Sequence, residues 1–192
     1  MTGRKEPVRV AVLVSGGGTN LQALLDALHD SPLARITHVV SNRKDTGALE
    51  RARKAHVRTT VLRDPNDASE ILRALEDSDL VVLAGYLKLV PPAVVARFRR
   101  RMINIHPALL PDFGGAGMYG HRVHEAVLAS GAAESGATVH FVDEEFDRGP
   151  IIAQERVRIE PRDTPESLGA RVLEAEHRLL PRVVLQLAQE IR

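Results

Sequence analysis

Residues 8–28 read VRVAVLVSGGGTNLQALLDAL, and this stretch decides the class of fold. Its opening run, 8–14, is apolar and rich in valine apart from Arg9, which predicts a strand. A glycine-rich turn follows, and beyond it apolar residues recur at the three- and four-residue spacing of one helix face. These residues are Leu21, Leu24, Leu25 and Leu28. A strand, a tight turn and a helix in that order are typical of parallel α/β proteins.

The same alternation continues along the chain. Further strands are predicted at 36–40, 58–62, 80–84, 102–105, 136–142 and 151–159. Helices are predicted near 47–55, around 71–75, from Pro91 and Pro92, at 121–130, and from Pro165 onward with Thr164 as its N-cap. The run at 80–84 is apolar on both faces, as a central parallel strand requires. We therefore predict a single domain over residues 1–192, a Rossmann-like α/β fold with a mostly parallel central sheet and helices on both faces.

The composition excludes several classes of function. With 44% hydrophobic and 27% charged residues, the chain has the balance of an ordinary globular protein. It has no cysteine, which rules out disulfides, thiolate metal sites and a cysteine nucleophile. No apolar run approaches the roughly 18 residues that span a bilayer, and the N-terminus has no apolar signal core. A cytoplasmic protein without a membrane partner is predicted.

The charge pattern does not indicate a nucleic-acid partner. The formal net charge is only +1, so no strong field surrounds the chain as a whole. One cluster of cations stands out, and it comprises Arg97, Arg99, Arg100 and Arg101. A solvated helix end is the simpler interpretation of this cluster, and no nucleic acid is expected.

The glycine-rich turn is the first candidate site. Residues 15–20 read SGGGTN and join the first strand to its helix. Glycines let a backbone approach an anion closely, and the N–H groups at a helix start point toward it, so a phosphate is the expected ligand. The spacing is not that of a dinucleotide-binding loop, and the lysine of a P-loop is missing. The alternative is a tight strand-to-helix turn that needs a positive φ.

The second candidate is Asn104 with His106, at the end of a predicted strand. Residues two apart in an extended chain point the same way, so the two side chains share one face. Ligands of open α/β sheets sit at the carboxyl ends of strands. An amide beside an imidazole suits the stabilisation of an oxyanion and the movement of a proton. The alternative is a polar strand end that hydrogen-bonds the following loop.

The third candidate is the polar loop 143–150, which reads DEEFDRGP between two apolar strands. A carboxylate from this loop could pair with His106 and favour its protonated form. The alternative is an ordinary acidic turn. Thr138 and His140 alternate on one face of the strand before it. Histidines and carboxylates show no ligand-like spacing, so no metal site is predicted.

These motifs together resemble the glycinamide ribonucleotide formyltransferases of purine synthesis. The resemblance runs from Val8 to about Leu185, and it depends on six stretches in one order. They are SGGGTNLQAL at 15–24, SNRKDTGALERARKA at 41–55, LAGYLKLVPP at 83–92, NIHPALLP at 104–111, GATVHF at 136–141 and DRGPII at 147–152. The resemblance implies the formyltransferase fold, and a cytoplasmic enzyme that uses 10-formyltetrahydrofolate as co-substrate and no metal.

The resemblance also implies which residues form the site. The substrate phosphate falls on Gly18, Thr19 and Asn20, and the catalytic trio on Asn104, His106 and Asp147. Glu176 falls where the family contacts the glycinamide part of the substrate. The folate is assigned to Leu87, Lys88, Leu89, Val90, Asn104 and the loop from Asp143 to Asp147. Thr138 and His140 would hold the catalytic residues in place without contacting the ligands themselves.

The chain departs from the family pattern at three places, the third being the short segment 64–76. The family usually carries Phe-Pro-Gly after Leu-Leu-Pro, whereas this chain has Phe113, Gly114 and Gly115. A looser loop is expected there. Lys88 stands where an arginine is common, although backbone contacts would survive that change. The basic residue that contacts the folate tail is not located.

The reaction implied by the resemblance is direct formyl transfer to the amine of glycinamide ribonucleotide, without a covalent enzyme intermediate. Asn104 and protonated His106 would stabilise the oxyanion, and Asp147 would raise the pKa of His106 above about 6.5. Formyltetrahydrofolate deformylase is one alternative, although its members tend to have a second histidine at the position of Pro107. A non-catalytic sugar-phosphate binding module is another. A homodimer is compatible with the sequence.

Overall fold

A computed structural model describes residues 6–192 as one seven-stranded sheet flanked by helices. The strands are β1 Val8–Val14, β2 Ala34–Ser41, β3 Arg58–Val61, β4 Leu80–Leu83, β5 Met102–His106, β6 Glu134–Phe141 and β7 Ile151–Arg158. The helices are α1 Thr19–Leu28, α2 Gly47–Lys54, α3 Ala68–Leu75, α4 Pro92–Arg97, α5 His121–Ala129 and α6 Pro165–Ile191. Each predicted strand and helix is present, with ends that differ by a few residues at most.

The strand order explains where a ligand site forms. The sheet runs β3-β2-β1-β4-β5-β6-β7, with β1 to β5 parallel and β6 and β7 antiparallel to their neighbours. The chain leaves β1 toward β2 and later returns to place β4 on the other side of β1. Such a switch opens a crevice beyond the carboxyl ends of the strands. The glycine turn after β1, the segment after β4 and the end of β5 all lie at that edge.

Two apolar layers cover the two faces of the sheet. Alternate β1 residues point to opposite faces, so Val10 and Val12 join the layer under α1 and α6, while Ala11 and Leu13 join the layer under α3 and α4. A smaller cluster packs α5 against the start of α6. Helices on both faces and a mostly parallel sheet are therefore confirmed.

The longest helix, α6, connects the site to the core. Thr164 caps its start by accepting a hydrogen bond from the Ser167 backbone, and Pro165 occupies the first position, as predicted. The helix continues through Pro181, which is buried. Its first half faces the crevice, and its second half lies across the sheet.

The arginine cluster covers an aromatic ring. The guanidinium groups of Arg97 and Arg101 each lie 5.4 Å from the centre of the Phe98 ring. Phe98 is only 1% exposed, so it offers no face on which a base could stack. Within residues 6–192, no helix is both long enough and apolar enough to cross a membrane.

Candidate active site

The glycine turn is held in one conformation by the start of α2. Gly18 has a φ of 74°, and a Cβ atom there would lie 2.6 Å from the Cα of Ala48. The Ala48 N–H donates to the Gly16 carbonyl at 3.1 Å. The turn therefore has the positive φ that the structural alternative requires. It also leaves the first N–H groups of α1 without partners inside the helix, which suits an anion.

Arg51 supports the same turn from behind. Its Nε donates to the carbonyl oxygen of Gly17 at 3.0 Å, and its Nη1 donates to the Oε1 of Gln22 at 3.1 Å. A carbonyl held this way faces α2 and not the crevice. The sequence alone does not indicate this role for Arg51, because its partner is a backbone atom 34 residues away.

Asn20 and Glu176 close the crevice between α1 and α6. The Asn20 Nδ2 donates to a carboxylate oxygen of Glu176 at 3.2 Å, and the Asn20 Oδ1 is buried with no hydrogen-bond partner. Burial raises the pKa of Glu176 to about 7, against a smaller opposing effect of the bond from Asn20. The pair therefore offers unused acceptor capacity toward the crevice.

The segment after β4 is tied to the glycine turn. The Leu87 N–H donates to the Ser15 hydroxyl at 2.9 Å, which fixes the backbone that the resemblance assigned to the folate. Leu87 and Leu89 are 39% and 43% exposed, so this side of the crevice presents an apolar surface. An exposed apolar rim is typical of a site for a planar organic ligand.

A cavity of about 640 Å³ fills the crevice. It is bounded by the glycine turn, the segment after β4, the end of β5, two loops and α6. The predicted residues that line it are Gly18, Thr19, Asn20, Leu87, Lys88, Leu89, Val90, Asn104, Asp143, Asp147 and Glu176. His106 is not among the lining residues and is only 3% exposed.

Asn104 and Asp147 meet at the floor of the cavity together with His140. The Asn104 Nδ2 donates to the Asp147 Oδ1 at 3.2 Å and to the His140 Nε2 at 3.1 Å. The His140 Nδ1 lies 2.9 Å from the Phe141 carbonyl oxygen and donates to it, while its Nε2 accepts from the Asn104 amide. Both amide hydrogens of Asn104 thus already have partners inside the protein.

His106 lies behind this pair and contacts Asp147 from the other side. Its Nε2 donates to the Phe113 carbonyl oxygen at 2.8 Å, and its Nδ1 lies 3.4 Å from the Asp147 Oδ2. A charge-assisted bond would be shorter, about 2.7–2.9 Å. The length of the second contact therefore agrees with a neutral imidazole whose only proton is on Nε2.

The prediction that the pKa of His106 is raised is wrong. Burial lowers it, and that effect exceeds the opposite effects of the Asp147 charge and the Phe113 carbonyl. Burial acts to raise the pKa of Asp147, but the neighbouring imidazoles of His140 and His106 and the N–H of Gly115 together hold it below its usual value. His106 does contact Asp147, but desolvation decides the net direction of the change in the pKa of His106.

The loop after β5 is closely packed at Gly114. A Cβ atom on Gly114 would lie 2.6 Å from the Leu110 Cδ2 and 3.0 Å from the Asp147 Cβ. The next residue, Gly115, donates its N–H to the Asp147 Oδ2 at 3.0 Å. Gly114 therefore lets the backbone approach the carboxylate that organises the trio.

Thr138 supports the segment after β5. Its hydroxyl donates to the Ala108 carbonyl at 2.6 Å and accepts from the Leu110 N–H at 3.1 Å. His140, by contrast, contacts Asn104 directly, which is a closer role than the resemblance implied. Among residues 6–192, no group of three or more histidines and carboxylates is placed to hold a metal ion.

Comparison with known proteins gives the family. Residues 8–184 match the model of the formyl transferase family. The chain belongs to this family.

Several relatives are similar in sequence to this formyl transferase. It is 46% identical to the chloroplastic phosphoribosylglycinamide formyltransferase of Arabidopsis thaliana, over 95% of its own length and 66% of the relative's. It is 40% identical to the phosphoribosylglycinamide formyltransferase of Haemophilus influenzae, over 92% and 85% of the two chains. The chain spans about two thirds of the length of its plant relatives.

Solved structures confirm the formyltransferase fold. The phosphoribosylglycinamide formyltransferase of Anaplasma phagocytophilum superposes with a TM-score of 0.88 at 38% identity, covering 95% of this chain and 87% of the other. The glycinamide ribonucleotide transformylase 1 of Symbiobacterium toebii superposes with a TM-score of 0.87 at 40% identity. The match covers 97% of this chain and 90% of the other. The six quoted stretches lie within the matched region of this formyl transferase.

Proposed function

We propose that this formyl transferase moves the formyl group of 10-formyltetrahydrofolate to the amine of glycinamide ribonucleotide in purine synthesis. The observation that carries the proposal is one continuous cavity. It joins the anion-binding turn at Gly18 to the polar cluster of Asn104 and Asp147, with an apolar wall at Leu87 and Leu89. A phosphorylated amine and a planar formyl donor need those three surfaces side by side.

The charges of the cavity suit the two substrates. The phosphate would accept hydrogen bonds from the backbone of Gly18, Thr19 and Asn20, at the positive end of α1. Glu176 and the unpaired Asn20 Oδ1 would accept from the amine or amide of the glycinamide group. The folate ring would lie along residues 87–90 and the loop 143–147, where Asp143 and Lys88 flank the apolar wall.

The reaction needs no covalent intermediate on the protein. The substrate amine forms a bond to the formyl carbon, and the bond from that carbon to N10 of the folate then breaks. One proton leaves the attacking nitrogen and one is gained by N10, so the exchange is balanced. Between these events the formyl oxygen carries negative charge, and hydrogen-bond donors aimed at it lower the barrier.

The donors for that oxygen are Asn104 and His106, and both must exchange a partner. Their contacts within the cluster run from 2.8 to 3.4 Å, and all but the bond to the Phe113 carbonyl exceed 3 Å. Contacts of this length are expected to rearrange when the substrate binds. Negative charge on the formyl oxygen would also favour the protonated form of His106, against the effect of burial.

A direct assay tests the proposal. Purified protein is mixed with 10-formyltetrahydrofolate, with and without glycinamide ribonucleotide, and the release of tetrahydrofolate is followed by absorbance. We expect release only when the ribonucleotide is present, with one formylated product per folate. Release at the same rate without it would identify the deformylase alternative instead. Binding of the ribonucleotide without any turnover would favour the non-catalytic sugar-phosphate module.

Asn104→Ala tests the role of the amide. Loss of one oxyanion donor typically lowers kcat by about 10²–10³. The dissociation constant of the folate, measured by fluorescence, should change much less, because the amide acts mainly on the transition state. A variant that keeps a near-normal kcat would remove Asn104 from the catalytic trio.

Two further parts of the proposal concern the cellular location and the oligomeric state of the protein. We place the reaction in the cytoplasm, although the plant relatives carry the word chloroplastic in their names. Cell fractionation with antibody detection would test this. The homodimer stays a prediction from the sequence, and analytical ultracentrifugation at micromolar concentration would test it.

A further inference from the structure

Residues 85–90, which follow β4 and line the cavity, form a segment that we call the wall segment. Tyr86 and Val90 anchor its two ends, since both side chains are buried. Residues 87–89 between them are exposed. Apolar packing therefore holds the ends of the wall segment but not its middle.

A single hydrogen bond joins the middle of the wall segment to the rest of the protein. The Leu87 N–H donates to the Ser15 hydroxyl oxygen at 2.9 Å. Across the described residues, 6–192, no other hydrogen bond links the wall segment to another part of the chain. The ladder between β1 and β4 ends before it, with the bond from the Ala84 N–H to the Leu13 carbonyl. Without the bond to the hydroxyl, the middle of the wall segment would lose its only polar anchor.

The other partner of this bond belongs to a well-supported part of the fold. Ser15 is 1% exposed and follows β1 directly. In the glycine turn after it, the Ala48 N–H donates to the Gly16 carbonyl. The Arg51 side chain donates to the Gly17 carbonyl of the same turn. Loss of the bond should therefore release the wall segment and leave the glycine turn in place.

We propose that Ser15 is a positioning residue for the folate. It is not among the residues that line the cavity, so it acts through another residue. Its hydroxyl holds the Leu87 backbone, and with it the wall segment along which the folate ring would lie. The residue before the phosphate-binding turn thereby sets the affinity for the other substrate. The inference rests on the proposed function, because the wall segment meets a folate only if the protein uses one.

The expected effect depends on how often the wall segment adopts the conformation that binds the folate. A ligand binds more weakly in proportion to the fraction of protein that is ready for it. One neutral hydrogen bond changes such an equilibrium by about two- to tenfold. Ser15→Ala removes the acceptor with little change in volume, so the KM and the Kd for the folate should rise by up to that factor. Because the bond is the same in the ground state and the transition state, kcat should change by less than about twofold.

Calorimetric titration of the wild-type protein, Ser15→Ala and Ser135→Ala tests the proposal, with tetrahydrofolate and glycinamide ribonucleotide as separate ligands. Ser135 on β6 is the matched control, since it is also 1% exposed but its hydroxyl has no hydrogen-bond partner. Ser15→Ala should bind tetrahydrofolate about two- to tenfold more weakly and should bind the ribonucleotide as the wild type does. Ser135→Ala should bind both ligands like the wild type. Thermal melts check that each variant is folded.

Amide hydrogen exchange, followed by NMR, tests the bond itself and needs no ligand. In the wild-type protein the Leu87 N–H should exchange slowly although the residue is exposed, and in Ser15→Ala it should exchange much faster. The Ala84 N–H, which donates to a β1 carbonyl, is the internal reference and should exchange alike in both proteins. A fast Leu87 amide in the wild-type protein would overturn the proposal, even if Ser15→Ala failed to fold.

Two further results would overturn the positioning role. One is a folded Ser15→Ala variant with wild-type affinity for tetrahydrofolate. The other is an equal loss of affinity for both ligands, which would mean that Ser15 only supports the fold. Failure of the proposed function gives a different result, because the wild-type protein would then bind neither ligand, whereas the exchange of the Leu87 amide would still report the bond.

Discussion

The two ends of the cavity differ in whether their hydrogen-bond donors already have acceptors within the protein. At the glycine turn, contacts such as the Ala48 N–H to the Gly16 carbonyl fix the backbone, and the helix-start N–H groups stay open. At the other end, both amide hydrogens of Asn104 and the Nε2 proton of His106 already have acceptors in the protein. The anion end is preformed, whereas the reactive end must exchange partners.

This difference has a physical reason. A phosphate keeps the same charge throughout the reaction, so its site gains nothing from changing shape. Charge on the formyl oxygen appears only in the transition state, and donors held free for it would lack an acceptor at every other stage. Until the substrate binds, Asn104 donates to Asp147 and His140, and His106 donates to the Phe113 carbonyl.

The largest expected effect comes from Asp147→Asn, which breaks the reactive end. The change removes the charge at nearly constant shape, so both the orientation of His106 and its protonated form lose support. We expect kcat to fall by about 10²–10⁴, the range of a general acid–base contribution. Steady-state kinetics measure this, and equal binding of both ligands serves as the control.

The same variant tests the electrostatic coupling by NMR. Burial already lowers the pKa of His106, and the Asp147 charge opposes that effect, so removal of the charge should lower the pKa further. A titration of His106 that coincides in wild type and variant would show that the two groups are not coupled.

The second effect comes from Gly18→Val, which breaks the anion end. Valine at a φ of 74° is strained, and its Cβ would meet Ala48 at 2.6 Å. Strain and overpacking together should lower the free energy of unfolding by roughly 2–6 kcal/mol. The KM for the ribonucleotide should rise by more than about tenfold while folate affinity is kept. Gly16→Val, where a Cβ meets nothing within 4 Å, is the matched control for stability.

The preformed end is also the part that sequence could predict best. The valine run at 8–14, the glycines and the leucine spacing are local signals, and each one specifies backbone conformation without knowledge of distant residues. The same holds for Thr164, whose capping role follows from residues next to it in the chain. The predicted ends of the first strand, the first helix and the start of the last helix agree with the structure to within a residue or two.

The reactive end depends on magnitudes and on long-range contacts, which a sequence does not give. Proximity of Asp147 to His106 was inferred correctly, but the direction of the pKa depends on how much water burial removes. The bond to the Phe113 carbonyl depends on the path of a glycine-rich loop. Gly114 suggested a loose loop, and only the tight approach to Leu110 explains why a side chain is absent there.

The third effect concerns Glu176, which is bonded to Asn20 beside the glycine turn. Its pKa is about 7 in the folded protein and roughly 4.3 in an unfolded chain, so the folded state binds more protons between those values. The free energy of unfolding should therefore fall as the pH rises through this window, by on the order of 3 kcal/mol in total. Glu176→Gln should remove that loss. Urea denaturation at pH 5 and pH 8 measures it, and equal pH dependence of the two proteins would contradict it.

The smallest effect comes from Arg51→Ala. This change removes support from the glycine turn, at the preformed end, but alters no residue that contacts a ligand. The bond from Arg51 to the Gly17 carbonyl is partly exposed, so its net contribution is small. We expect the KM for the ribonucleotide to rise about threefold, with kcat and folate affinity unchanged. Arg51→Lys keeps the charge but not the fork that reaches both Gly17 and Gln22, so it should behave like Arg51→Ala.

A dephosphorylated substrate distinguishes support of the turn from a general loss of stability. If Arg51 acts by holding the turn for the phosphate, the variant and the wild-type protein should bind the ribonucleoside equally weakly. Arg53→Ala, on the same helix, is the control and should leave both affinities as they are. A variant that loses the same factor for both substrates would show that Arg51 stabilises α2 and not the anion site.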